Sequence, residues 1–304
     1  TREGELWVTR VPPIFMKTID TLVDDIYSLF KTSVPDMSDE EVDIIISKFG
    51  DSVAVHLKAF IYEEERRRDS LRLSAIGKPE RQQWYAASPN STVKETIEIQ
   101  AKDKIKFLYG YILEELLLTL SYLAGHSVTD QQKEVQVEGV KGHQDAIIDD
   151  VLVDCKSASG KGFDKFKNNY VSVDDPFGYI AQISSYAEAN GLDQAAFLAI
   201  NKQTGEICLS KVHSMEMINA KERVKYIKDV VNQSTPPAKC YPDVPDGKSG
   251  NRKLDIGCIY CDYKRDCWKD ANNGQGLRVF DYATNPRYLT QVSKMPNVEE
   301  ILDW

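Results

Sequence analysis

The sequence predicts an α/β fold in which a mixed β-sheet is flanked by helices. Residues 1–92 show helical apolar spacing, and strand-like runs alternate with helical patterns in residues 93–234. Strands interleaved with helices in this way form a sheet that is covered on both faces. Four of the six cysteines lie in residues 235–271, which indicates a C-terminal four-cysteine metal module after an N-terminal helical lobe and the central core. Residues 272–304 show little periodicity and are predicted to be a C-terminal tail.

The N-terminal lobe is predicted to consist of helices. Residues 14–30 place apolar side chains at helical spacing, and Ser38 followed by Glu41 is a capping-box pattern that marks the next helix start. No residue of this lobe indicates a particular chemistry.

The central segment contains, in order, a helix, a strand hairpin, a second helix, a second hairpin and a closing helix. Apolar residues from Ile105 to Leu120 show the spacing of the first helix. The second hairpin is predicted over 195–201 and 206–212 around a Lys-Gln-Thr-Gly turn, and the closing helix over 214–231.

The first hairpin carries two carboxylates and an ammonium. Residues 151–156 read Val-Leu-Val-Asp-Cys-Lys, and side chains two apart on a strand share a face, so Asp154 and Lys156 point the same way. Asp149 and Asp150 are a turn signal, which places Asp145 on the preceding strand. Carboxylates can bind a hard divalent cation, and an adjacent lysine can orient or deprotonate a water and offset charge on a phosphate. The pattern indicates metal-assisted phosphodiester cleavage, and a surface hairpin with solvated charges is the alternative.

Two helical residue pairs flank this hairpin. Gly110 lies one turn before Glu114, and we expect the small residue to let the helix approach the sheet so that Glu114 reaches the metal. Gln182 and Tyr186 lie four residues apart on the following helix, where both could hydrogen-bond DNA and hold the lysine in place. Taken alone, Glu114 is equally typical of an exposed helix face, and the Gln182–Tyr186 spacing is a weak signal.

In this order the motifs resemble those of the PD-(D/E)XK nuclease superfamily, specifically its RecB-like branch. That branch includes the iron-sulfur CRISPR adaptation nucleases and many phage exonucleases. Residues 110–114 look like its Gly-x-x-x-His/Glu helix motif, 145–156 like its catalytic hairpin, and 182–186 like its Gln-x-x-x-Tyr motif. The resemblance implies a restriction-endonuclease-like core and a DNA nuclease that depends on Mg²⁺ or Mn²⁺.

The resemblance also implies a role for each matched residue. One or two divalent ions would be held by three carboxylates and one backbone carbonyl, from Glu114, Asp145, Asp154 and Cys155. Lys156 would position the attacking water and stabilise the pentacovalent phosphate. Gln182 and Tyr186 would orient the DNA strand and Lys156.

The C-terminal cysteines form a second candidate site. Cys258, Cys261 and Cys267 form a Cys-x-x-Cys run with a third cysteine six residues later, and Cys240 lies upstream. This run resembles the C-terminal cysteines of the iron-sulfur nucleases, whose fourth cysteine usually lies in an upstream Ser-x-x-x-Lys-Cys-x-Arg segment. The corresponding stretch, residues 73–85, has no cysteine, so we expect Cys240 to replace it. A [4Fe-4S] cluster, structural Zn²⁺, and unligated or disulfide-bonded cysteines stay open as interpretations.

Composition and charge limit the class of protein. The 304 residues, 42% hydrophobic, can bury a full core, and no apolar run approaches the roughly 20 residues that cross a bilayer. Clustered cysteines favour a reducing compartment, so we expect the cytoplasm, or the host cytoplasm if the gene is phage-borne, and no membrane partner. The net charge of -9 opposes DNA binding, so DNA contacts would depend on two basic clusters, for which a solvated helix face is the alternative interpretation. These are residues 66–68 with Arg72, Lys78 and Arg81, and Lys156 with Lys161, Lys165 and Lys167.

The sequence therefore predicts a metal-dependent deoxyribonuclease, and we expect an exonuclease that acts on single-stranded DNA or on DNA with a single-stranded end. The cysteine layout and the helical lobe favour phage or mobile-element DNA recombination, repair or degradation, with recombination or replication proteins as partners. Two other classes stay open. One is a catalytically inactive nucleic-acid-binding module on the same fold, and the other is a metal-stabilised interaction domain with an unrelated activity.

Overall fold

The computed structural model describes residues 17–31, 37–62, 70–91, 93, 101–302 and 304. The helices that it describes are, in chain order, α1 (Leu22–Ser28), α2 (Asp39–Tyr62), α3 (Glu80–Ala87), α4 (Ala101–Leu123), α5 (Lys161–Lys167), α6 (Tyr179–Asn190), α7 (Ala220–Val231), α8 (Ile256–Ile259), α9 (Lys264–Cys267) and α10 (Ala271–Gly274). Three 3₁₀ turns are Ile19–Thr21, Leu73–Ala75 and Ser214–Glu216.

The described strands are β1 (Val128–Thr129), β2 (Glu134–Val137), β3 (Val140–His143), β4 (Ala146–Ile148), β5 (Val151–Ala158), β6 (Ala195–Asn201), β7 (Ile207–Val212), β8 (Val244–Pro245), β9 (Arg252–Lys253), β10 (Arg278–Phe280), β11 (Arg287–Gln291) and β12 (Glu300–Ile301). The central sheet has the order β1-β4-β5-β6-β7, and β2 pairs with β3 as a separate hairpin.

The central sheet is mixed, as the sequence predicts. β5 and β6 run parallel, whereas β1–β4, β4–β5 and β6–β7 are antiparallel pairs. A parallel pair needs a crossover connection, which α5 and α6 supply here. All seven residues of β6 are buried, which makes this strand the centre of the fold.

Helices cover both faces of the sheet. Along β5, Leu152 packs on the face covered by α6 and α7, whereas Val153 and Cys155 pack on the face covered by α1 and α4. Since side chains alternate along a strand, Asp154 and Lys156 share the α6 face with Leu152. The sequence prediction that they point the same way agrees with this register.

Both predicted hairpins are present. Asp149 and Asp150 have φ of 48° and 66°, the left-handed values that a two-residue turn between antiparallel strands requires. β6 and β7 coincide with the second predicted hairpin to within one residue.

The described helices of the N-terminal lobe pack against the core elements. α1 contacts α4 and β7, α2 contacts α4, and α3 contacts α7. The capping box is confirmed, because the Ser38 N–H donates to Glu41 Oε2 at 2.8 Å and the Glu41 N–H to Ser38 Oγ at 3.3 Å.

A buried histidine joins the lobe to the first hairpin. The His126 side chain is fully buried between two carboxylates, with Nδ1 2.6 Å from Asp149 Oδ2 and Nε2 3.1 Å from Asp25 Oδ2. Asp25 belongs to α1 and Asp149 to the β4–β5 turn, so this ring connects the two elements.

The C-terminal residues form a second sheet with the order β12-β10-β11-β9-β8. The predicted C-terminal tail thus contributes three of these strands, β10, β11 and β12. These strands have two to five residues, too few to show alternation, and β8 and β9 of the same sheet come from the cysteine segment. A small core of Leu254, Cys258, Trp268, Ala271 and Leu277 lies beside this sheet.

No helix in the described part of the chain is both long enough and apolar enough to cross a membrane.

Candidate active site

The candidate site lies beside the first residue of β4. At this point β5 continues past the last residue that pairs with β4. Asp145 directly precedes β4, and its Oδ2 accepts the backbone N–H of Cys155 on β5 at 2.7 Å. A strand residue's N–H and C=O point to the same edge, so the Cys155 carbonyl also lies on the Asp145 side. This bond fixes one carboxylate against the strand that carries the other two predicted residues.

Asp154 and Lys156 form the centre of the site, with the carboxylate buried and the lysine half-buried. Asp154 is 1% exposed, and its Oδ2 is ion-paired with the Lys156 Nζ, which is 18% exposed. Gln182, on α6, donates from Nε2 to the other Asp154 oxygen, Oδ1, at 3.2 Å. Among the described residues, no hydrogen bond to the buried Asp154 Oδ2 is formed, and its interaction is the ion pair with the Lys156 ammonium.

Glu114 reaches the site from α4, the helix on the opposite face of the sheet. Burial and the Asp154 carboxylate raise the pKa of Glu114 to about 7, although Lys156 and a hydrogen bond from Gln132 oppose the rise. The structure therefore brings Glu114, Asp145, Asp154 and Lys156 together, as the motifs predict.

The charges in this cluster are not balanced. Burial and then the charges of Asp154 and Glu114 raise the pKa of Asp145 well above its usual value. Burial disfavours the Lys156 ammonium, but Asp154 and Asp145 outweigh that penalty and raise its pKa. Three carboxylates thus share one ammonium, an arrangement that favours additional positive charge.

The donor chemistry of the cluster suits a hard divalent cation, because all its ligand atoms are oxygen. Among the residues that the structure describes, no three His, Cys, Asp or Glu side chains already surround one point as a metal-binding group. Because Lys156 contacts Asp154 Oδ2, metal binding there requires the ammonium to move away from that oxygen.

Tyr186 and Gln182 differ from the predicted roles in detail. Tyr186 is 1% exposed, so it does not reach DNA in this conformation, and a DNA contact by its hydroxyl is not supported. It packs beneath the site against Gly142, where a Cβ would lie 2.7 Å from Tyr186 Cε1. Gln182 contacts Asp154, whereas Lys156 lies against the ring of Tyr179, 5.0 Å from its centroid.

The expected role of Gly110 is wrong. A Cβ at Gly110 would have no atom of the described chain within 4 Å, so a small residue is not needed there. α4 instead meets the sheet through larger side chains, Leu117 and Leu118, which are buried. The glycine that permits a close approach near the site is Gly142.

Two site residues are absent from the sequence-based set. Tyr179 lies one turn before Gln182 on α6, so helical spacing from Gln182 could have indicated it. Gln132 lies in the loop before β2 and donates a hydrogen bond to Glu114. The sequence of this loop has no periodic pattern that could have indicated the contact.

The four C-terminal cysteines meet at one cavity. Cys240, Cys258, Cys261 and Cys267 all line it, together with Pro79 and Arg81 from the N-terminal stretch. Burial and the neighbouring thiols raise the pKa of Cys258 to about 12, and burial raises that of Cys261 to about 11. No disulfide joins any of the six cysteines, all of which lie in the described part of the chain, and Cys155 is buried.

Arg81 belongs to this cavity, which differs from both interpretations of its basic cluster, a DNA contact and a solvated helix face. Its Nε donates to Cys267 Sγ at 3.1 Å, and its guanidinium also contacts the Pro237 carbonyl and the Tyr85 hydroxyl. Of the second basic cluster, Lys165 and Lys167 are ion-paired with Asp174 and Glu206. Residues 66–68 lie outside the described residues.

No family model matches this chain. A search of curated proteins gives no match either. Among solved structures, SSO0001 has a TM-score of 0.39 at 16% identity, over 71% of this chain and 91% of its own. A phage-related exonuclease from Haemophilus somnus 129PT has a TM-score of 0.35 at 17% identity, over 56% and 92%.

The alkaline exonuclease LHK-Exo from Laribacter hongkongensis has a TM-score of 0.27 at 12% identity, over 52% of this chain and 85% of its own. TM-scores this low support no argument about the activity of the present chain. The functional conclusion therefore depends on the residues of the site.

Proposed function

We propose that the protein is a divalent-metal-dependent deoxyribonuclease. One observation carries the proposal. Three carboxylates from three different elements, α4, the start of β4 and β5, lie near a single half-buried lysine and interact with its charge. A core does not need such a cluster, since burying charges without balance costs stability. A site that binds cations and a phosphate does need it.

The residues that would hold Mg²⁺ or Mn²⁺ are Glu114, Asp145, Asp154 and the carbonyl of Cys155. When bound, the metal supplies positive charge that polarises the phosphate and lowers the pKa of a bound water. The Cys155 N–H donates to Asp145 Oδ2 and so holds this carboxylate against β5. Gln182 holds Asp154 in the same way through Oδ1.

Lys156 acts as an ammonium in this arrangement. Its raised pKa keeps it protonated at neutral pH, so it donates hydrogen bonds and offsets negative charge on the phosphate, and it does not act as a base while paired with Asp154. Tyr179 covers one side of the lysine and limits where the ammonium can move.

We propose more specifically that the enzyme is an exonuclease that acts on single-stranded DNA or on DNA with a single-stranded end. Phage or mobile-element DNA recombination, repair or degradation, with recombination or replication proteins as partners, is the proposed setting. The proposed compartment is the cytoplasm, because four clustered cysteines that bind a metal favour a reducing environment.

The four cysteines are proposed to hold one [4Fe-4S] cluster, with structural Zn²⁺ as the alternative. The proposal is supported by four cysteine residues that line a single cavity, because thiolates are the ligands of both centres. Cys240, Cys258, Cys261 and Cys267 would tie the cysteine segment to α3 through Arg81, which already contacts Cys267.

Digestion of end-labelled single-stranded, duplex and circular DNA tests the proposed activity. We expect release of nucleotides from linear substrates in Mg²⁺ or Mn²⁺, none in EDTA, and no attack on closed circles. Binding of DNA without cleavage in either metal would favour the inactive binding module. Cleavage of closed circles would identify an endonuclease.

A further inference from the structure

An aromatic surface leads from the candidate site to solvent. Phe177 lies in the loop between α5 and α6, and its side chain is 59% exposed. Its ring centroid is 5.4 Å from that of Tyr179, and the Tyr179 ring centroid is 5.0 Å from Lys156 Nζ. Tyr179 is supported from below by Phe166 and Phe197 of the core, at 5.9 Å and 6.1 Å.

The backbone that carries Phe177 is fixed on both sides of the ring. Asp175 accepts the N–H groups of Tyr179 and Ile180 at 2.9 Å and 2.8 Å. Gly178 has φ of 77° and packs directly on Gly77, so that a Cβ on Gly178 would lie 2.3 Å from the Gly77 carbonyl carbon. Neither glycine can be replaced without displacing the loop.

An exposed aromatic ring on a fixed backbone is suited to binding. Its ordering cost on binding is small because the main chain is already placed. Phe177 is not needed to complete the core, since Tyr179 is already packed by Phe166 and Phe197. Single exposed apolar residues are common on protein surfaces, and what distinguishes Phe177 is that its ring packs on Tyr179, which lies against Lys156.

We propose that Phe177 stacks an unpaired nucleobase of the DNA strand whose phosphate lies at Lys156. The proposal rests on the proposed nuclease function and specifies its substrate class as single-stranded DNA or a frayed end. Aromatic side chains stack on bases of any sequence, but they reach the face of a base only where it is unpaired or terminal. The aromatic surface is continuous with the site, so the stacked base belongs to the strand being cleaved.

The charges around the ring permit this use. Asp174 is neutralised by Lys165, with Nζ 2.6 Å from Oδ2, and Asp175 is occupied by the two helix N–H groups. These two carboxylates therefore repel an approaching phosphate less than their formal charge suggests.

Binding of fluorescein-labelled single-stranded oligonucleotides in Ca²⁺ tests the proposal, with gels to verify that the DNA stays intact. We expect Phe177→Ala to weaken binding about 10-fold to 100-fold, because one base–aromatic stack contributes that much. Phe177→Trp should retain binding. Val173→Ala removes an apolar side chain from the same loop, 66% exposed, and serves as the matched control with unchanged binding.

A series of oligonucleotides with one abasic site at successive positions identifies the contact. At one position near the labelled end, the abasic substitution should weaken wild-type binding and abolish the difference between wild type and Phe177→Ala. The proposal is overturned if Phe177→Ala binds every oligonucleotide like wild type, or if its defect is the same at every abasic position. A change in sedimentation mass with Phe177→Ala would assign the ring to a contact between two copies of the chain and would also overturn it.

Together with a cleavage assay, these binding experiments distinguish failure of the stacking proposal from failure of the nuclease proposal. An abasic-sensitive defect in a protein that never cleaves DNA would support the stacking site and reject the nuclease. Metal-dependent cleavage with a neutral Phe177→Ala would support the nuclease and reject the stacking site.

Discussion

Glu114 should make the metal-free protein less stable as the pH rises. Its pKa is raised from 4.5 to about 7 in the folded protein by burial and by Asp154. Between these two values the folded state binds more protons than the unfolded state, so unfolding free energy falls with increasing pH. The decrease in unfolding free energy is complete above the pKa of the folded state. It amounts to at most about 3 kcal/mol, because a shift of one pKa unit corresponds to about 1.4 kcal/mol.

Glu114→Gln removes the titrating carboxyl and keeps its size and its ability to hydrogen-bond Gln132. We expect the variant in EDTA to be more stable than wild type at pH 8, by up to about 3 kcal/mol, and similar to wild type near pH 4.5. Glu115→Gln removes a neighbouring charge that contributes to the raised pKa of Glu114, so it should reduce the pH dependence only in part and serves as the graded comparison.

Urea unfolding in EDTA at several pH values between 4.5 and 8 measures the effect. Addition of Mn²⁺ should stabilise wild type more at pH 8 than at pH 5, and Glu114→Gln much less, because the metal needs the ionised carboxylate. A Glu114→Gln variant that is less stable than wild type at pH 8, with unchanged pH dependence, would refute the reasoning.

Three further outcomes are expected. Asp145→Ala and Lys156→Ala should each reduce cleavage about a hundredfold or more with the fold intact by circular dichroism, whereas Asp150→Asn in the neighbouring turn should be neutral; near-normal activity of purified Asp145→Ala would reject the site. His126→Ala should lower the unfolding free energy by about 3 kcal/mol, because two carboxylates lose their shared partner, and the exposed His143→Ala should change it little; equal thermal melts would show that the network is not stabilising. Cys240→Ser should lower the iron or zinc content of anaerobically purified protein, measured by elemental analysis, whereas Cys208→Ser should not; full metal content in Cys240→Ser would show that another residue is the fourth ligand.

The parts of the fold that produce a short repeating pattern of side chains in the sequence could be predicted. Two-residue alternation placed Asp154 and Lys156 on one face, and the Asp149–Asp150 pair identified the turn before them. The prediction that Glu114 belongs to the site depended on the resemblance, because α4 packs on the opposite face of the sheet and no local pattern fixes where the Glu114 side chain lies.

The remaining features depend on tertiary contacts. Arg81 resembles a solvated basic residue in sequence, yet its guanidinium meets Cys267, 186 residues away. The strands of the second sheet are too short to show alternation, and they pair across the boundary between the cysteine segment and the predicted tail. The Gly110 prediction failed because helical spacing identifies a face of α4 but not which residue of that face contacts the sheet.

Metal-dependent release of nucleotides from an end-labelled single strand is the most direct test of the central claim. Wild-type protein should digest the strand in Mg²⁺, at least as fast in Mn²⁺, and not at all in excess EDTA, and Lys156→Ala should be inactive in both metals. Cleavage that persists undiminished in EDTA, or wild-type rates from Lys156→Ala, would contradict the assignment of a metal-dependent nuclease to this carboxylate cluster.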